Sequence, residues 1–218
     1  MGSFLVIGMG RFGKSVATEL YQMRHEVLAM DEVEDNIAGI VDHVTDVVIG
    51  DAKDEAVLRS LDVQSFDCVV VAMAGTIEDS ILITMMLKEM DAKSIVCKAQ
   101  NERHAKILSQ LGADKVIRPE HDMGKRIAHL LAQQNIIDFL EISSDYSVME
   151  IITPKSLVGK SIGKNNLRRK YGVTIIAIRN AETGGMKFSP NADAMLYDGD
   201  VLIVIGSKYE LDVLSKMK

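Results

Sequence analysis

The chain has 218 residues, of which 47% are hydrophobic and 26% charged, and its formal net charge is −6 at pH 7. This composition is typical of a globular protein with a sizeable core, and the acidic balance argues against nucleic acid as a partner. The longest apolar runs are much shorter than the roughly 20 residues of a membrane span, and no signal peptide is apparent. Cys68 and Cys97 lie in strand-like runs and are expected to be reduced thiols of a cytoplasmic protein.

The first predicted strand ends in a glycine-rich turn. Residues 4–7 are all apolar, which is typical of a strand buried on both faces, and an amphipathic helical pattern follows at once. Gly8, Gly10 and Gly13 have the spacing G-x-G-x-x-G. The first glycine allows the tight turn, the second allows a pyrophosphate to approach the backbone, and the third allows the helix to pack closely on the strand. The pattern therefore predicts a phosphate-binding turn.

Two charged residues extend this prediction. A second strand, predicted at residues 27–30, leads into Asp31, which follows Gly13 at about the distance where an acidic residue binds ribose hydroxyls in dinucleotide-binding folds. Arg11 lies inside the glycine turn, where a guanidinium can pair with phosphate oxygens. This position favours ATP or ADP over NAD, although Arg11 could also be an exposed arginine of the first helical turn.

Helices and strands alternate as far as residue 134. Further strands are predicted at 46–49, 67–72, 94–98 and 115–117, and helices at 33–43, 55–61, 77–90, 102–111 and 119–134. Short buried strands that alternate with helices predict an α/β domain with a Rossmann-like, doubly wound parallel sheet of six strands. We assign residues 1–135 to this domain, and the helix at about 119–134 is its crossover helix.

Small and acidic residues follow the later strands of this sheet. Asp51 and Ala52 come after the third strand, at the edge where the adenine end of a ligand binds in open α/β folds. A plain polar turn is the alternative, with Asp51 or Asp54 capping the next helix. Gly75 and Thr76 follow the fourth strand and are predicted to face the same crevice, although capping of the next helix by Thr76 is enough to explain them.

Glu120 begins the crossover helix, directly after Pro119. A carboxylate there can complement the helix dipole, or it can help to hold a cation beside nucleotide phosphates. Both interpretations remain open from the sequence.

The pattern changes after residue 134. Residues 135–141 are predicted to continue as helix or turn, and 157–162 to form a bend or short helix. Strands are predicted at 147–152, 173–178, 187–188 and 201–205, with helices at 166–171, ended by Gly172, and at 208–216. This second domain, residues 136–218, is a small α+β unit. It lacks the size of a dehydrogenase's catalytic domain and no nucleophile–base pair is evident, which favours binding and regulation over catalysis.

Charge is distributed unevenly between the two domains. Residues 1–135 carry 14 basic and 21 acidic side chains, whereas residues 136–218 carry 11 and 10. Between Ile151 and Ala181 seven basic residues and no acidic residue occur. Such a stretch suits an anionic ligand, although a solvated basic face is the default interpretation.

Motifs along the whole chain together resemble one family, the cytoplasmic regulatory subunits of bacterial Ktr-type (Trk-related) potassium uptake systems, which join an RCK or TrkA-N domain to a TrkA-C domain. These motifs are Gly8-Met-Gly-Arg-Phe-Gly13, Asp31, Cys97-Lys-Ala-Gln100, Gly112-Ala-Asp114, Pro119-Glu-His-Asp-Met-Gly124 and Arg168-Arg-Lys-Tyr-Gly172.

The resemblance implies a gating subunit without catalytic activity. Dimers of such subunits assemble into an octameric ring, which is cytoplasmic, peripheral at the inner face of the cell membrane, and docked to a membrane potassium channel subunit of the KtrB/TrkH type. ATP and ADP compete for the N-terminal crevice and control ion flux. No nucleic acid is implied as a partner.

The family's ligand-binding positions carry over onto this chain in two groups. Arg11 would contact the terminal phosphates, Asp31 the ribose, and Glu120 a bound cation (Mg²⁺, Ca²⁺ or Na⁺). The nucleotide-binding group is Gly8, Gly10, Arg11, Phe12, Gly13, Asp31, Asp51, Ala52, Ala74, Gly75 and Glu120. The group for a second ligand, cyclic di-AMP, is Ile162, Leu167, Arg168, Thr174, Ile175 and Pro190.

Two of the residues assigned to cyclic di-AMP depart from the family pattern. Thr174 stands where relatives frequently have Asn, and Leu167 where many have Ile, whereas Arg168 is retained. An alternative function of a different class is an NAD(H)-binding redox sensor or a small NAD-dependent oxidoreductase, because Asp31 is compatible with NAD and would repel the 2′-phosphate of NADP.

Overall fold

The computed structural model describes residues 1–73, 75–132 and 135–217. The chain divides into two compact units, Met1–Glu120 and His121–Lys218. The domain boundary that the sequence suggests, after residue 135, stays a prediction. Within the described ranges, no helix has the length and apolar character needed to cross a bilayer.

The first unit is built on a six-stranded parallel sheet, which confirms the predicted Rossmann-like fold. Its strand order is β3-β2-β1-β4-β5-β6. The chain leaves β1 first toward one edge and later returns to its other side at β4, so the point of reversal lies beside β1. The strands are β1 (Ser3–Ile7), β2 (Glu26–Asp31), β3 (Asp46–Ile49), β4 (Cys68–Val71), β5 (Ile95–Lys98) and β6 (Lys115–Ile117).

Helices cover both faces of this sheet. Successive residues of β1 point to opposite faces, so Leu5 and Ile7 join one apolar cluster while Val6 joins the other, and all three are almost fully buried. These helices are α1 (Arg11–Gln22), α2 (Glu34–Ala38), α3 (Glu55–Ser60), α4 (Ile77–Glu89) and α5 (Glu102–Gln110). Helix α6 (Pro119–Ala132) begins at the end of the first unit, and most of its residues belong to the second unit.

One helix of the first unit is shorter than the sequence pattern predicts. Residues 33–43 were expected to be helical throughout, but α2 ends before Gly39, and a 3-10 turn follows at Val41–His43. Glycine is a poor helix former, and the chain turns there so that Ile40 is buried at 1% exposure.

The second unit contains a five-stranded antiparallel sheet with the order β10-β9-β11-β8-β7. Its strands are β7 (Ile136–Glu141), β8 (Tyr146–Ile152), β9 (Thr174–Arg179), β10 (Met186–Phe188) and β11 (Val201–Ser207). Its own helices are α7 (Ile162–Asn165), α8 (Leu167–Tyr171) and α9 (Lys208–Ser215), with a 3-10 turn at Lys155–Leu157. Gly172 ends α8 with φ +71°, as predicted for a C-terminal glycine.

The prediction for residues 135–141 is wrong. Ile136–Glu141 form strand β7, paired antiparallel with β8, and not a continuation of the preceding helix. The register shifts between Ile136 and Asp138, so Ile136 and Phe139 both pack against the core although they are three residues apart. A bulge of this kind removes the two-residue alternation by which a strand is recognised in sequence.

Candidate nucleotide-binding site

The glycine turn after β1 is sterically constrained at two positions and open at the third. Gly8 has φ +96°, and a Cβ atom there would lie 2.9 Å from the backbone of Met73. A Cβ atom on Gly13 would overlap the carbonyl oxygen of Gly8. Gly10, by contrast, has nothing within 4 Å of where its Cβ would lie. The middle glycine therefore leaves the space that a ligand needs to approach the backbone.

Helix α1 begins directly at this turn without a capping side chain. Gly10 precedes its first residue, no side chain of the described residues caps it, and its first turn contains no acidic residue. The N–H groups of a helix's first turn have no partner within the helix, and the dipole makes this end attractive to anions. Arg11, exposed at the same end, adds a positive charge.

Asp31 is already hydrogen-bonded to its own chain. One carboxylate oxygen accepts the Met9 N–H at 2.6 Å, and the other accepts the Val33 N–H at 2.9 Å and the Asn36 side-chain amide at 3.1 Å. Asp31 therefore fixes the glycine turn to the end of β2. A carboxylate offers about four acceptor positions, so one remains for a ribose hydroxyl.

A cavity of about 170 Å³ lies at the carboxyl ends of the central strands of this unit. Six of the predicted residues line it: Gly8, Gly10, Asp31, Asp51, Ala52 and Gly75. Ala74 lies outside the described residues. Sequence reasoning missed Asn36, Met73 and Asp79, which also line the cavity. Whether these three residues line the cavity depends on how α2, α4 and the β4–α4 turn pack at the carboxyl ends of the strands, and no sequence motif indicates that packing.

The cavity is acidic. Asp31, Glu32, Asp51 and Asp79 all line it, and Lys53 lies 3.7 Å from both Glu32 and Asp51. The pKa of Lys53 is raised mainly by Asp51, then by Asp79 and Glu32. Carboxylates favour neutral donors such as ribose hydroxyls and an adenine amino group, and they disfavour an additional phosphate.

The structure assigns the capping of α3 to Asp54, whereas the adenine role of Asp51 stays a prediction. Asp54 caps α3 by accepting the Ala56 N–H at 2.9 Å. Asp51 accepts the Lys53 N–H at 2.9 Å within its own turn and lies on the cavity. The capping of α3 therefore leaves Asp51 available at the cavity.

Phe12 and Glu120 meet around Lys98 instead of lining the cavity. The Lys98 ammonium donates to Glu120 at 2.6 Å and lies 6.0 Å from the centroid of the Phe12 ring. The Lys98 side chain is 13% exposed, whereas that of Glu120 is 71% exposed. The hydrogen bond from Lys98 is the main cause that lowers the pKa of Glu120. Sequence reasoning did not single out Lys98, although its place at the carboxyl end of β5 is a usable signal.

The metal prediction rests on Glu120 alone. Among residues 1–73, 75–132 and 135–217, no group of three or more His, Cys, Asp or Glu side chains is arranged to hold a metal ion. A cation at Glu120 would therefore need oxygen ligands from the nucleotide phosphates and would compete with the Lys98 ammonium.

The six residues predicted for the second ligand are distributed around the second unit. Ile162 begins α7, Leu167 and Arg168 begin α8, Thr174 and Ile175 begin β9, and Pro190 follows β10. Their environments differ, because Arg168 and Thr174 are exposed whereas Leu167 is 2% exposed within the core.

Of the seven basic residues between positions 151 and 181, Arg179 is paired with Glu150 at 2.7 Å. The other six are exposed, and we call them the basic surface: Lys155, Lys160, Lys164, Arg168, Arg169 and Lys170.

Comparison with known proteins bears directly on these two units. The TrkA-N domain family matches residues 4–119, and the TrkA-C domain family matches residues 148–217. "Ktr system potassium uptake protein C" of Bacillus subtilis is 41% identical, over 98% of this chain and 96% of the relative. The corresponding protein A of B. subtilis is 40% identical, over 95% of this chain and 93% of the relative. The chain belongs to the Ktr potassium uptake regulatory family.

Family membership confirms the resemblance and the expectation of a non-enzymatic protein, since these relatives are potassium uptake proteins. Two solved structures share the fold at low identity. A GsuK channel bound to NAD matches 98% of this chain and 38% of its own, with TM-score 0.68 and 19% identity. GsuK bound to ADP matches 57% of this chain and 33% of its own, with TM-score 0.51 and 18% identity.

Proposed function

We propose that this Ktr family member is a nucleotide-sensing gating subunit whose N-terminal crevice binds ATP or ADP. The observation that carries the proposal is the juxtaposition of the open position at Gly10, the uncapped start of α1 and the Asp31 carboxylate beside one cavity. Backbone N–H groups and Arg11 would hold the phosphates, while Asp31 and Asp51 would receive the ribose and adenine.

Gating needs no reaction at this site. A ligand shifts a conformational equilibrium only by the difference between its affinities for the two states. Arg11 and Glu120 are the residues that would distinguish a third phosphate, Arg11 directly and Glu120 through a cation (Mg²⁺, Ca²⁺ or Na⁺) shared with the phosphates. Lys98 donates to one carboxylate oxygen of Glu120, so a cation there would have to share the carboxylate with the ammonium or displace it.

We also propose the partners that family membership implies. The chain would act as a homo-oligomer, a dimer assembling to an octameric ring, at the inner face of the membrane, bound to a KtrB/TrkH-like channel subunit. Cyclic di-AMP would bind the second unit through Arg168, together with Ile162, Leu167, Thr174, Ile175 and Pro190. The exposed basic surface supports an anionic ligand there.

NAD(H) is the second candidate for the crevice. The acidic lining and the single remaining acceptor position of Asp31 suit an adenosine ribose in either ligand. The exposed guanidinium of Arg11 favours a terminal phosphate over a second nucleoside.

Calorimetric titration with ATP, ADP and NADH, with and without Mg²⁺, tests this proposal. We expect Arg11→Ala to weaken ATP binding about tenfold while ADP changes about twofold or less, because only ATP places a third phosphate near the guanidinium. Arg103→Ala removes an exposed arginine of α5 and is the matched control. Equal losses for ATP and ADP would exclude the role of Arg11, and tight binding of NADH alone would favour the redox-sensor alternative.

A further inference from the structure

A buried histidine lies behind one side of the crevice. His104, on α5, is 1% exposed. Its Nε2 atom is 2.8 Å from the Ser80 hydroxyl of α4, and its Nδ1 atom is 3.2 Å from the backbone nitrogen of Gln100. The imidazole therefore bridges α4 and the turn between β5 and α5.

The direction of these hydrogen bonds fixes the tautomer. The Gln100 N–H can only donate, so Nδ1 accepts and the single proton of the neutral ring is on Nε2. Nε2–H then donates to Ser80, whose hydroxyl donates to the Ile77 carbonyl at 3.0 Å. A second ring proton would bring Nδ1–H against the Gln100 N–H, so the arrangement requires an uncharged imidazole.

The surroundings agree with a neutral ring. Burial lowers the pKa of His104, and the Glu78 carboxylate of α4 acts in the opposite direction with a smaller effect. On β5, burial raises the pKa of the Cys97 thiol to about 11, which leaves it uncharged. The charged residues of α5 near the ring, Glu102, Arg103 and Lys106, are exposed.

The same residues hold a segment of the crevice, residues 75–80, which we call the wall segment. The Gln100 side-chain amide donates to the Gly75 carbonyl at 2.7 Å. At the other end, Ser80 follows Asp79, whose side chain completes a capping box with Thr76 at the start of α4. Gly75 and Asp79 both line the cavity. His104 is thus connected to each end of the wall segment, through Gln100 and through Ser80.

We propose that neutral His104 is a positioning residue of the nucleotide site, which holds the wall segment in its binding conformation and which weakens nucleotide binding when it becomes protonated. The inference rests on the proposed nucleotide function and adds an acid-sensitive element to it. His104 touches no ligand in this scheme and acts through Gln100 and Ser80.

The first test removes the connection without altering the histidine. Gln100→Ala deletes the donor to Gly75 from an exposed side chain, and Gln110→Ala at the far end of α5 is the matched control. We expect Gln100→Ala to weaken ADP binding about fivefold, as for one lost hydrogen bond, and to accelerate amide hydrogen exchange in residues 75–79 of the ligand-free protein. Gln110→Ala should change neither measurement.

The second test uses two histidine replacements with opposite hydrogen-bonding capacity. In His104→Asn the side chain can still accept a hydrogen bond from the Gln100 N–H. In His104→Gln the side chain can still donate to Ser80 but cannot accept at the position of Nδ1. Neither replacement can gain a proton. We expect His104→Asn to bind ADP within about threefold of the unsubstituted protein at about pH 8, and His104→Gln to bind about fivefold more weakly or worse. Thermal unfolding of both variants verifies that they remain folded.

The pH profile separates positioning from general structural support. As the pH falls from about 6.5 to about 4.5, the unsubstituted protein should lose more ADP affinity than His104→Asn, because the lowered pKa of His104 places its protonation below the ordinary imidazole range and the asparagine gains no proton. The ratio of the two affinities cancels protonation of ADP itself. Parallel profiles, together with unchanged hydrogen exchange in Gln100→Ala, would overturn the inference and leave nucleotide binding intact. Accelerated exchange without any nucleotide binding would uphold the positioning and overturn the proposed function.

Discussion

Asp31 and Asp114 of the first unit and the acidic side chains on β7 of the second unit are used differently. In the first unit, aspartates at the ends of strands accept hydrogen bonds from backbone N–H groups. Asp31 binds Met9 N–H at 2.6 Å, and Asp114 binds Ile95 N–H at 2.7 Å. These contacts fix the chain where it leaves or enters a strand, and one of them forms the floor of the candidate site.

In the second unit, the acidic residues Asp138 and Glu141 of β7 pair with basic side chains. Glu141 is bonded to both Lys125 and Lys208, and Asp138 is bonded to Arg126 at 2.6 Å. These pairs are partly exposed, so solvent screens them and each contributes about 1 kcal/mol or less.

The difference indicates that the two candidate ligand sites are prepared to different degrees. The first unit provides a cavity whose loops are held by backbone hydrogen bonds, so the nucleotide site is preorganised within one chain. The second unit provides an exposed basic surface, so its selectivity for an anion depends more on individual charges. A substitution in one unit should therefore leave ligand binding by the other unit unchanged.

The largest effect is expected from a methyl group in the glycine turn. Gly13→Ala places a Cβ against the Gly8 carbonyl oxygen, so we expect it to abolish detectable ADP binding and to lower the free energy of unfolding by about 3 kcal/mol. Urea unfolding and calorimetry measure the two effects, and cyclic di-AMP binding should persist.

Substitutions at two further glycines distinguish an effect on ADP affinity from an effect on the free energy of unfolding. Gly10→Ala meets no atom within 4 Å and has an ordinary φ of −71°, so stability should change by about 0.5 kcal/mol or less while ADP affinity falls at least about tenfold. Gly124→Ala, also without neighbours, should alter no ligand affinity. Unchanged ADP affinity in Gly10→Ala would argue that the phosphates lie elsewhere.

The glycine turn also shows what the sequence could predict. The spacing of the glycines and the place of Asp31 locate the site because both follow from local chain geometry beside a strand. The hydrogen bonds from Asp31 to Met9 and Asn36 could not be predicted in the same way, since they depend on how the β2–α2 turn folds back. The contacts of Lys98 and His104 could not be predicted because their partners lie on other elements of the fold.

In the second unit, too, local features could be predicted from the sequence and features that depend on strand pairing could not. Gly172 was predicted correctly because a left-handed C-terminal residue has a local signature. Strand β7 was not, because its bulge at Ile136–Asp138 breaks the alternation and only pairing with β8 defines it.

An intermediate effect is expected at the basic surface. Arg168→Gln should weaken cyclic di-AMP binding about tenfold, because a guanidinium paired with a phosphate contributes a charge-assisted hydrogen bond. Arg169→Gln, an exposed neighbour on α8, is the matched control and should have an effect of about twofold or less. ADP affinity should be unchanged in both. Equal losses in the two variants would show that the surface attracts anions by net charge alone, without a defined site.

The smallest effect concerns acid stability of the second unit. Hydrogen bonds from Lys125 and Lys208 lower the pKa of Glu141 from its ordinary value of 4.5 to about 2. A carboxyl group whose pKa is lower in the folded state contributes stability that is complete above its unfolded pKa and is lost as pH falls toward the folded value. We therefore expect Glu141→Gln to cost about 1 kcal/mol or less at neutral pH, after allowance for screening of this partly exposed group.

Urea unfolding of Glu141→Gln and the unsubstituted protein should converge as the pH is lowered from about 4.5 to about 2. The difference should also shrink in about 1 M NaCl, where ion pairs are screened. Glu182→Gln, at an exposed turn position, is the matched control and should show neither dependence. If the difference persisted at low pH, the cost would come from lost packing and not from charge.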